Sequence, residues 1–472
     1  MGFEKRFKKS AVVAAFCQMF CFGFAHAGTF VAKGSVVPGS ADVHKYVLAN
    51  GLRVLLLQDN RNLVATVRIR LDAGSNREVL GKTGLAHFFE HMMFRKTRFS
   101  EEGQYDRTLA GVGGNGNAGT STDYVVFYSK FPAPALETVL EIESQRMTGV
   151  ELKEPFFSTE KGAVISERGI NVDNVPMSRG SEVIRTFVEQ GTPYEWPTLG
   201  SKKDVEGMKI EDVQKFFSDF YTPDNAIVSV GGPLEIKTML AMVEKAFGGW
   251  KGSRITTRGK FPADYLSRNN GKYFVCGEDV AEQTYSVVYP SFASTVEDVW
   301  YSMAMQDAME DNLQGTFERR LQKSKMATGF GFYKEWWQRP NPHAVAVFTL
   351  SPEQKFEDVL AAWNKEVHSV LQKPVDKHFR NRLVKQIEVS KAEAALRMTS
   401  LIEMHENNEF FNNDFLSTLN MEKFFASLNQ QKFRAWIEKN IVHASYYVTA
   451  IVPKNIAPTC SEKSFVSVRK GM

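Results

Sequence analysis

The chain has 472 residues, of which 43% are hydrophobic and 24% are charged, a composition typical of folded rather than disordered or fibrous proteins. Its formal net charge of +4, without a concentrated basic face, excludes a protein that binds nucleic acid through phosphates. The length exceeds what one hydrophobic core supports, so we expect two or more domains.

The first 27 residues are typical of a secretory signal. Basic residues between Lys5 and Lys9 precede a short apolar stretch, Ala11 to Phe24, and Ala25-His26-Ala27 has the form of a cleavage site. The alternative is a membrane anchor, but the apolar stretch is well short of the roughly 20 residues that a spanning helix needs. We expect cleavage before Gly28, export to a bacterial periplasm, and no membrane span in the mature chain.

Two cysteines, Cys276 and Cys460, remain after removal of the signal. In an oxidising compartment they could form a disulfide. Two separate buried thiols are the open alternative, because the sequence does not give the distance between them.

The elements of the first half follow an extended leader at 28–42, which is rich in Gly, Ser and Pro. Runs of β-branched and apolar residues predict strands, and apolar residues at helical spacing predict helices. Strands are expected at 53–58, 64–71, 124–131 and 226–231, and helices at 83–94, 133–148, 155–170 and 238–247.

The same order of elements begins again after a linker at 251–265. Strands are expected at 272–276, 283–289, 343–350 and 446–452, and helices at 296–313, 354–371 and 376–411. Because strands and helices do not alternate strictly, we predict an α+β protein of two similar halves, 43–250 and 266–460.

His87-Phe88-Phe89-Glu90-His91 carries the strongest chemical signal. Its two histidines lie four residues apart on the predicted helix, so both imidazoles can bind one metal ion. Zinc suits two nitrogens and a carboxylate with one position left for water, which Glu90 could reach, and H-x-x-E-H is the inverted zincin signature. The alternative is two surface histidines, which the apolar residues around this helix disfavour.

Glu160 and Glu167 are the candidates for a third protein ligand. They lie two helical turns apart on the helix predicted at 155–170, so both carboxylates face the same way. The pattern alone is more typical of a solvated acidic edge, but the histidine pair needs a third ligand and favours the functional interpretation.

The segment Gly84 to Phe94 resembles the pitrilysin/insulinase (inverzincin) family of metallopeptidases, which includes the mitochondrial processing peptidase. The resemblance covers residues 43–455, densely in the first half and loosely in the second. It implies two homologous halves, each a mainly antiparallel sheet covered by helices, that form a clam-shell. Short members of this family pair with a second chain to enclose a chamber.

The resemblance also implies roles for particular residues. The helix at 155–170 resembles the one that carries the distal zinc ligand, with Glu167 as that ligand and Glu160 as a carboxylate that orients a histidine. A strand around Asn117 to Ser121 resembles the one along which the family lays its substrate. The residues implied in substrate binding are Asn117, Ala118, Thr120 and Arg320.

Two departures from the family pattern concern the second half. Residues 300–313 contain no H-x-x-E-H, as expected if only the first half is catalytic. The family's Arg and Tyr near the scissile carbonyl correspond to Arg320 and to Thr328, so the Tyr is missing. We therefore expect a homologous partner chain that supplies it, while Tyr333 or an altered mechanism are the alternatives.

Other candidate sites have plainer interpretations. His405 lies on a charged helix and is expected on a solvated face. Phe332, Trp336 and Trp337 are expected to pack in the core. The glycine-rich segment 111–116 lacks the ending of a phosphate-binding loop.

The predicted function is that of a zinc metalloendopeptidase that hydrolyses unfolded peptides or small polypeptides, with one zinc ion per chain and Glu90 as the base. The main alternative is a non-catalytic scaffold or assembly subunit of a peptidase-like complex. A closed structural zinc site is disfavoured, because it would lack a fourth ligand and leave Glu90 without a role. Cleavage preference and physiological substrate do not follow from the sequence.

Overall fold

The computed structural model describes residues 28–37, 40–255, 259–290, 295–310, 316–334, 343–459 and 468–469. The expected signal, Trp336, Trp337 and Cys460 lie outside these residues. Cys276 is disulfide-bonded, which removes the alternative that it is a free thiol.

The first sheet has seven strands in the order β1-β2-β3-β7-β4-β6-β5. Its strands are β1 (Thr29–Gly34), β2 (Val43–Val47), β3 (Arg53–Gln58), β4 (Val64–Leu71), β5 (Asn115–Thr120), β6 (Val125–Pro132) and β7 (Ala226–Gly232). The helices of this part are α1 (Leu85–Met92), α2 (Gln104–Gly111), α3 (Leu136–Gly149), α4 (Phe156–Arg168), α5 (Pro176–Val188), α6 (Lys202–Gly207), α7 (Ile210–Phe220) and α8 (Ile236–Phe247).

The second sheet has six strands in the order β10-β11-β9-β12-β8-β13. Its strands are β8 (Lys272–Glu278), β9 (Gln283–Tyr289), β10 (Gly329–Lys334), β11 (Ala344–Leu350), β12 (Tyr447–Pro453) and β13 (Val468–Arg469). The helices of this part are α9 (Val296–Glu310), α10 (Phe317–Lys323), α11 (Phe356–Gln372), α12 (Lys377–Leu396), α13 (Met398–Asn412), α14 (Ser417–Ala426) and α15 (Gln430–Ile437).

Five strands of each sheet share one topology. In the first, β3 runs parallel to β7, and β7, β4, β6 and β5 follow as antiparallel neighbours. In the second, β8 runs parallel to β12, and β12, β9, β11 and β10 follow in the same way. The predicted α+β class with two similar, mainly antiparallel halves is therefore confirmed.

One face of each sheet is covered by helices of its own half, and the other face by a helix of the opposite half. Helix α13 packs on β3 and β7 of the first sheet, where Leu401 and Ile402 contact an apolar cluster that includes Leu55 and Ile227. Helix α5 packs on β8 and β12 of the second sheet. The two halves thus exchange one helix each.

This exchange overturns the prediction that His405 lies on a solvated face. The helix predicted at 376–411 is broken at Arg397, whose backbone is extended, and α13 then turns onto the first sheet. His405 is consequently 0% exposed. Its Nδ1 donates to the carbonyl of Phe415 at 2.8 Å, and burial lowers the pKa of His405 to about 4.

Charged residues of α13 meet arginines of the first sheet. The carboxylate of Glu406, which is 0% exposed, lies 3.2 Å from Arg68 Nε and 2.8 Å from Arg70 Nε. Burial raises the pKa of Glu406, but the two guanidinium groups outweigh burial and hold it below its ordinary value. Glu409, also on α13, forms an ion pair with Lys45 of β2 at 2.7 Å.

Several elements differ from those predicted. The expected extended leader contains β1, which pairs with β2. Strand β5 forms where the residue pattern predicted no strand, although the family resemblance implied one around Asn117 to Ser121. Within the described part of the chain, no helix has the length and apolarity needed to cross a bilayer.

Candidate metal centre

Helix α1 positions the two histidines. Its apolar side, which includes Phe88 and Met92, enters the core of the first half. The opposite side carries His87 and His91, whose ring centroids lie 4.7 Å apart. His87 is only 9% exposed, so a pair of solvated surface histidines is excluded.

Helix α4 packs against α1 and brings Glu167 to this pair. Glu167 Oε2 lies 3.5 Å from His87 Nε2 and 3.2 Å from His91 Nε2. One ligand atom from each of the three residues lies within 4.8 Å of the other two. Among the residues that the structure describes, this is the one such group of three that could hold a metal ion.

The donor set fits zinc. For metal–ligand bonds of about 2.0–2.1 Å in tetrahedral geometry, the ligand atoms would lie roughly 3.3 Å apart, close to the separations from Glu167. Burial, followed by the charge of His91, lowers the pKa of His87 to about 4, which keeps the imidazole in the neutral form that binds metals. Two nitrogens and a carboxylate leave a fourth position open, as in catalytic rather than structural zinc sites.

Glu90 lies beside this group on α1. Its Oε2 accepts a hydrogen bond from the hydroxyl of Thr120, which lies at the end of β5. Burial raises the pKa of Glu90, and the bond from Thr120 opposes this rise. Thr120 was expected to bind substrate, whereas its described side-chain partner is Glu90.

Asn117 and Ala118 lie on β5, the last strand of the first sheet. Within the described residues, this strand pairs only with β6, where Asn117 faces Tyr128. One edge of β5 is therefore available close to Glu90.

Glu160, two turns before Glu167 on α4, contacts His91. Its Oε2 lies 3.0 Å from His91 Nδ1, which leaves Nε2 facing Glu167. Its Oε1 forms an ion pair with Arg95, which is anchored in turn by Glu102 at 2.6 Å. Burial raises the pKa of Glu160, but the bonds from His91 and Arg95 outweigh burial and keep it ionised. The sequence analysis missed Arg95, which lies four residues after His91, beyond the end of α1.

Replacing Glu160 by Gln should weaken zinc affinity by about 10–100-fold, because His91 loses the carboxylate that fixes its tautomer and orientation. Glu167→Gln should instead remove the metal itself. Zinc dissociation constants from chelator competition would measure both, with the exposed Glu141→Gln as the control. If Glu160→Gln strips the zinc and Glu167→Gln does not, the two roles are exchanged.

The second half has no comparable group among its described residues. Between α9, α12 and α13 lies a cavity of 1260 Å³ lined by Met303, Glu393 and Met404 among others. Arg320, on α10, is ion-paired with Glu366, and the hydroxyl of Thr328 donates to Glu282 at 2.9 Å. None of the described hydrogen bonds or ion pairs joins these residues to α1 or α4.

Two family models match the chain. Residues 53–198 match the model described as insulinase, peptidase family M16, and residues 207–387 match the one described as the peptidase M16 inactive domain. The segment with His87, Glu90, His91 and Glu167 falls in the first match.

Similar proteins include the zinc protease PqqE of Helicobacter pylori, which is 33% identical over 43% of this chain and 46% of its own length. A probable mitochondrial-processing peptidase subunit beta of Schizosaccharomyces pombe is 26% identical over 43% of this chain and 44% of its own. The chain thus spans less than half the length of these relatives. The crystal structure of the periplasmic protease PqqL of Escherichia coli has the same fold, with a TM-score of 0.73 and 18% identity over 89% of this chain and 48% of that one.

Proposed function

Because this chain belongs to the insulinase family of peptidases, M16, we propose that it is a zinc metalloendopeptidase that hydrolyses unfolded peptides or small polypeptides. The observation that carries this proposal is the convergence of His87, His91 and Glu167 within 4.8 Å, with Glu90 beside them. These three residues would hold one zinc ion per chain.

Bound zinc would supply Lewis-acid chemistry, lowering the pKa of a water and polarising a peptide carbonyl. Glu90 acts as general base and removes the proton of the attacking water. Thr120 donates a hydrogen bond to Oε2 of Glu90, so Oε1 is the less engaged oxygen and is available to take the proton. Burial raises the pKa of Glu90, which helps the same carboxyl to donate that proton to the leaving amine.

The edge of β5 supports the choice of substrate. An extended peptide can add to an exposed sheet edge through main-chain hydrogen bonds, whatever its sequence. Asn117 and Ala118 would form such bonds and bring the scissile bond beside Glu90. A folded substrate could not present an extended segment to this edge, so unfolded chains are favoured.

The alternative is a non-catalytic subunit. The second family model is described as an inactive domain, which supports this alternative. However, that model matches residues 207–387 and not the metal centre. All four residues that the chemistry needs are present in the first half, which favours catalysis.

Removal of zinc by a chelator should abolish cleavage of an unfolded polypeptide by the purified chain, because the attacking water is no longer activated. Added zinc should restore cleavage. The assay would follow fragments of a reduced, alkylated protein by mass spectrometry, with its folded form as the control. Cleavage that persists without metal would overturn the proposal. A zinc-loaded chain without activity, alone or with a partner, would favour the scaffold alternative.

We further propose that a homologous chain completes the enclosure. The chain covers 48% of the Escherichia coli protein of similar fold. That protein is therefore long enough to contain two such units. Thr328 at the expected Tyr position favours a different chain over a second copy, while Tyr333, 39% exposed on β10, is the local alternative.

Activity of the purified chain alone should therefore be weak, and co-expression with a homologue that carries the Arg and Tyr should restore it. Removing groups that stabilise the transition state costs about 2.7–4 kcal/mol, so the expected gain is on the order of 10²–10³-fold. Light scattering would give the oligomeric mass of each preparation. Full turnover from a monomer or homodimer would contradict the heteromeric assembly.

The cellular location proposed is the bacterial periplasm, after cleavage of the signal at 1–27. The backbone nitrogen of Gly28 donates to the carboxylate of Glu244, so an amino group freed at this position would already have an acidic partner. The mass of the exported chain would verify this, since a retained Met1 would exclude cleavage.

A further inference from the structure

The amino-terminal turn of α1 is bound to a buried carboxylate that no role assigned so far uses. Glu78, which is 6% exposed, accepts hydrogen bonds from the backbone nitrogens of Gly84 and Ala86, each at 2.8 Å and each to a different oxygen. Burial raises the pKa of Glu78 to about 8, even though the two amide donors favour the ionised form and oppose the rise. The attachment of the helix therefore rests on the two hydrogen bonds, one to each carboxyl oxygen.

This helix needs an external anchor. It has only eight residues, and helices of about two turns do not persist on their own in water. His87 is its third residue, directly after Ala86, so it lies in the turn that frays most easily. His91 lies one turn further on and has Glu160 as its own support.

A side chain at position 84 could not cap the helix in place of Glu78, because the backbone around Gly84 is packed too closely to admit a Cβ. Gly84 has a φ of 87°, and its backbone touches that of Gly200, so that a Cβ on either residue would collide with the other segment. The carbonyl of Gly200 accepts a hydrogen bond from Arg168, the residue that follows Glu167. The start of α1 and the end of α4 that carries Glu167 therefore both contact the segment around Gly200.

We propose that Glu78 is a positioning residue of the metal centre, whose carboxylate fixes the first turn of α1 and thereby holds His87 in place toward Glu167. The inference deepens the proposed function, on which it rests for its effect on turnover. Its effect on metal binding can be measured without any substrate. The signal in the sequence is a lone Glu six residues before Gly84, which no periodicity marks.

Glu78→Gln keeps the size of the side chain but replaces one of the two acceptors by an N–H donor that faces a backbone N–H. We expect zinc affinity to fall by about 10–100-fold, the range for residues that support metal ligands. We also expect kcat to fall with KM unchanged, and the visible absorption of the cobalt-substituted chain to change, because the direction of the His87 imidazole is altered.

The control is Asp376→Ala in the second half, which removes a helix cap. Asp376 caps α12 by accepting a hydrogen bond from the nitrogen of Phe379 at 2.8 Å, so this variant weakens a helix cap far from the metal. It should lower the free energy of unfolding and leave the cobalt spectrum and zinc affinity unchanged. If Glu78→Gln behaves like this control, Glu78 is merely structural and the proposal is overturned.

A second variant covers the case in which Glu78→Gln does not fold. Glu78→Asp keeps the carboxyl group, but its shorter side chain cannot reach both amides, so the same changes in cobalt spectrum and zinc affinity are expected. Wild-type values in a folded Glu78→Asp chain would refute the proposal. A wild-type chain that binds zinc but hydrolyses nothing would refute the proposed function and leave this test of positioning intact.

Discussion

Glu90→Gln should lower turnover by about two to four orders of magnitude, while zinc content stays at the wild-type level. The amide has the shape of the carboxylate and can still accept the hydrogen bond from Thr120, but it cannot take the proton of the attacking water. The three proposed zinc ligands are unchanged, so the metal site should remain. Elemental analysis and initial rates on an unfolded polypeptide would measure the two quantities.

The control for this variant is Glu141→Gln, which removes an exposed carboxylate of α3 from the same half. It should retain wild-type turnover. Near-native activity of Glu90→Gln would show that another group is the base, and loss of zinc from it would show that Glu90 is needed for the metal site itself.

Glu406→Gln should cost about 3–5 kcal/mol of unfolding free energy, because it removes the buried counter-charge of Arg68 and Arg70. Neither guanidinium can reach bulk water easily, since the two side chains are 9% and 2% exposed. The loss would be measured by urea-induced unfolding, with circular dichroism and tryptophan fluorescence compared to test for a single transition.

Glu403→Gln provides the matched control on the same helix. Glu403 also pairs with Arg68, at 3.1 Å, but its side chain is 47% exposed. Solvent screens such a pair, so we expect a cost below about 1 kcal/mol. Equal losses from the two variants would mean that burial does not set the strength of this network.

The local parts of the site could be predicted from the sequence. Whether His87 and His91 share a helix face depends only on their spacing, and whether that helix is buried depends on its own apolar residues. The strand β3 follows in the same way from its apolar run, since burial on both faces selects such residues. The strand β4 follows from the alternation of apolar residues with Thr66, Arg68 and Arg70. These features need no knowledge of distant segments.

The parts that could not be predicted depend on contacts between distant segments. The sequence around His405 is rich in acidic residues and has the composition of a solvated helix, yet basic residues of the first sheet neutralise it. Likewise β5 contains two glycines and no β-branched residue except Thr120, so its propensity does not favour a strand. It is a strand because β6 offers it an edge to pair with.

The exchange of α5 and α13 has a consequence for the order of events in biosynthesis. The first sheet has no cover on its outer face until residues 398–412 are available, so a nascent chain that ends near residue 250 leaves Leu55 and Ile227 uncovered. Neither half can then complete its core alone, and closure of the first half waits for late-synthesised residues. Under the export proposed above, in which the chain would cross a membrane in extended form from its amino terminus, this delay would postpone stable folding until most of the polypeptide has passed.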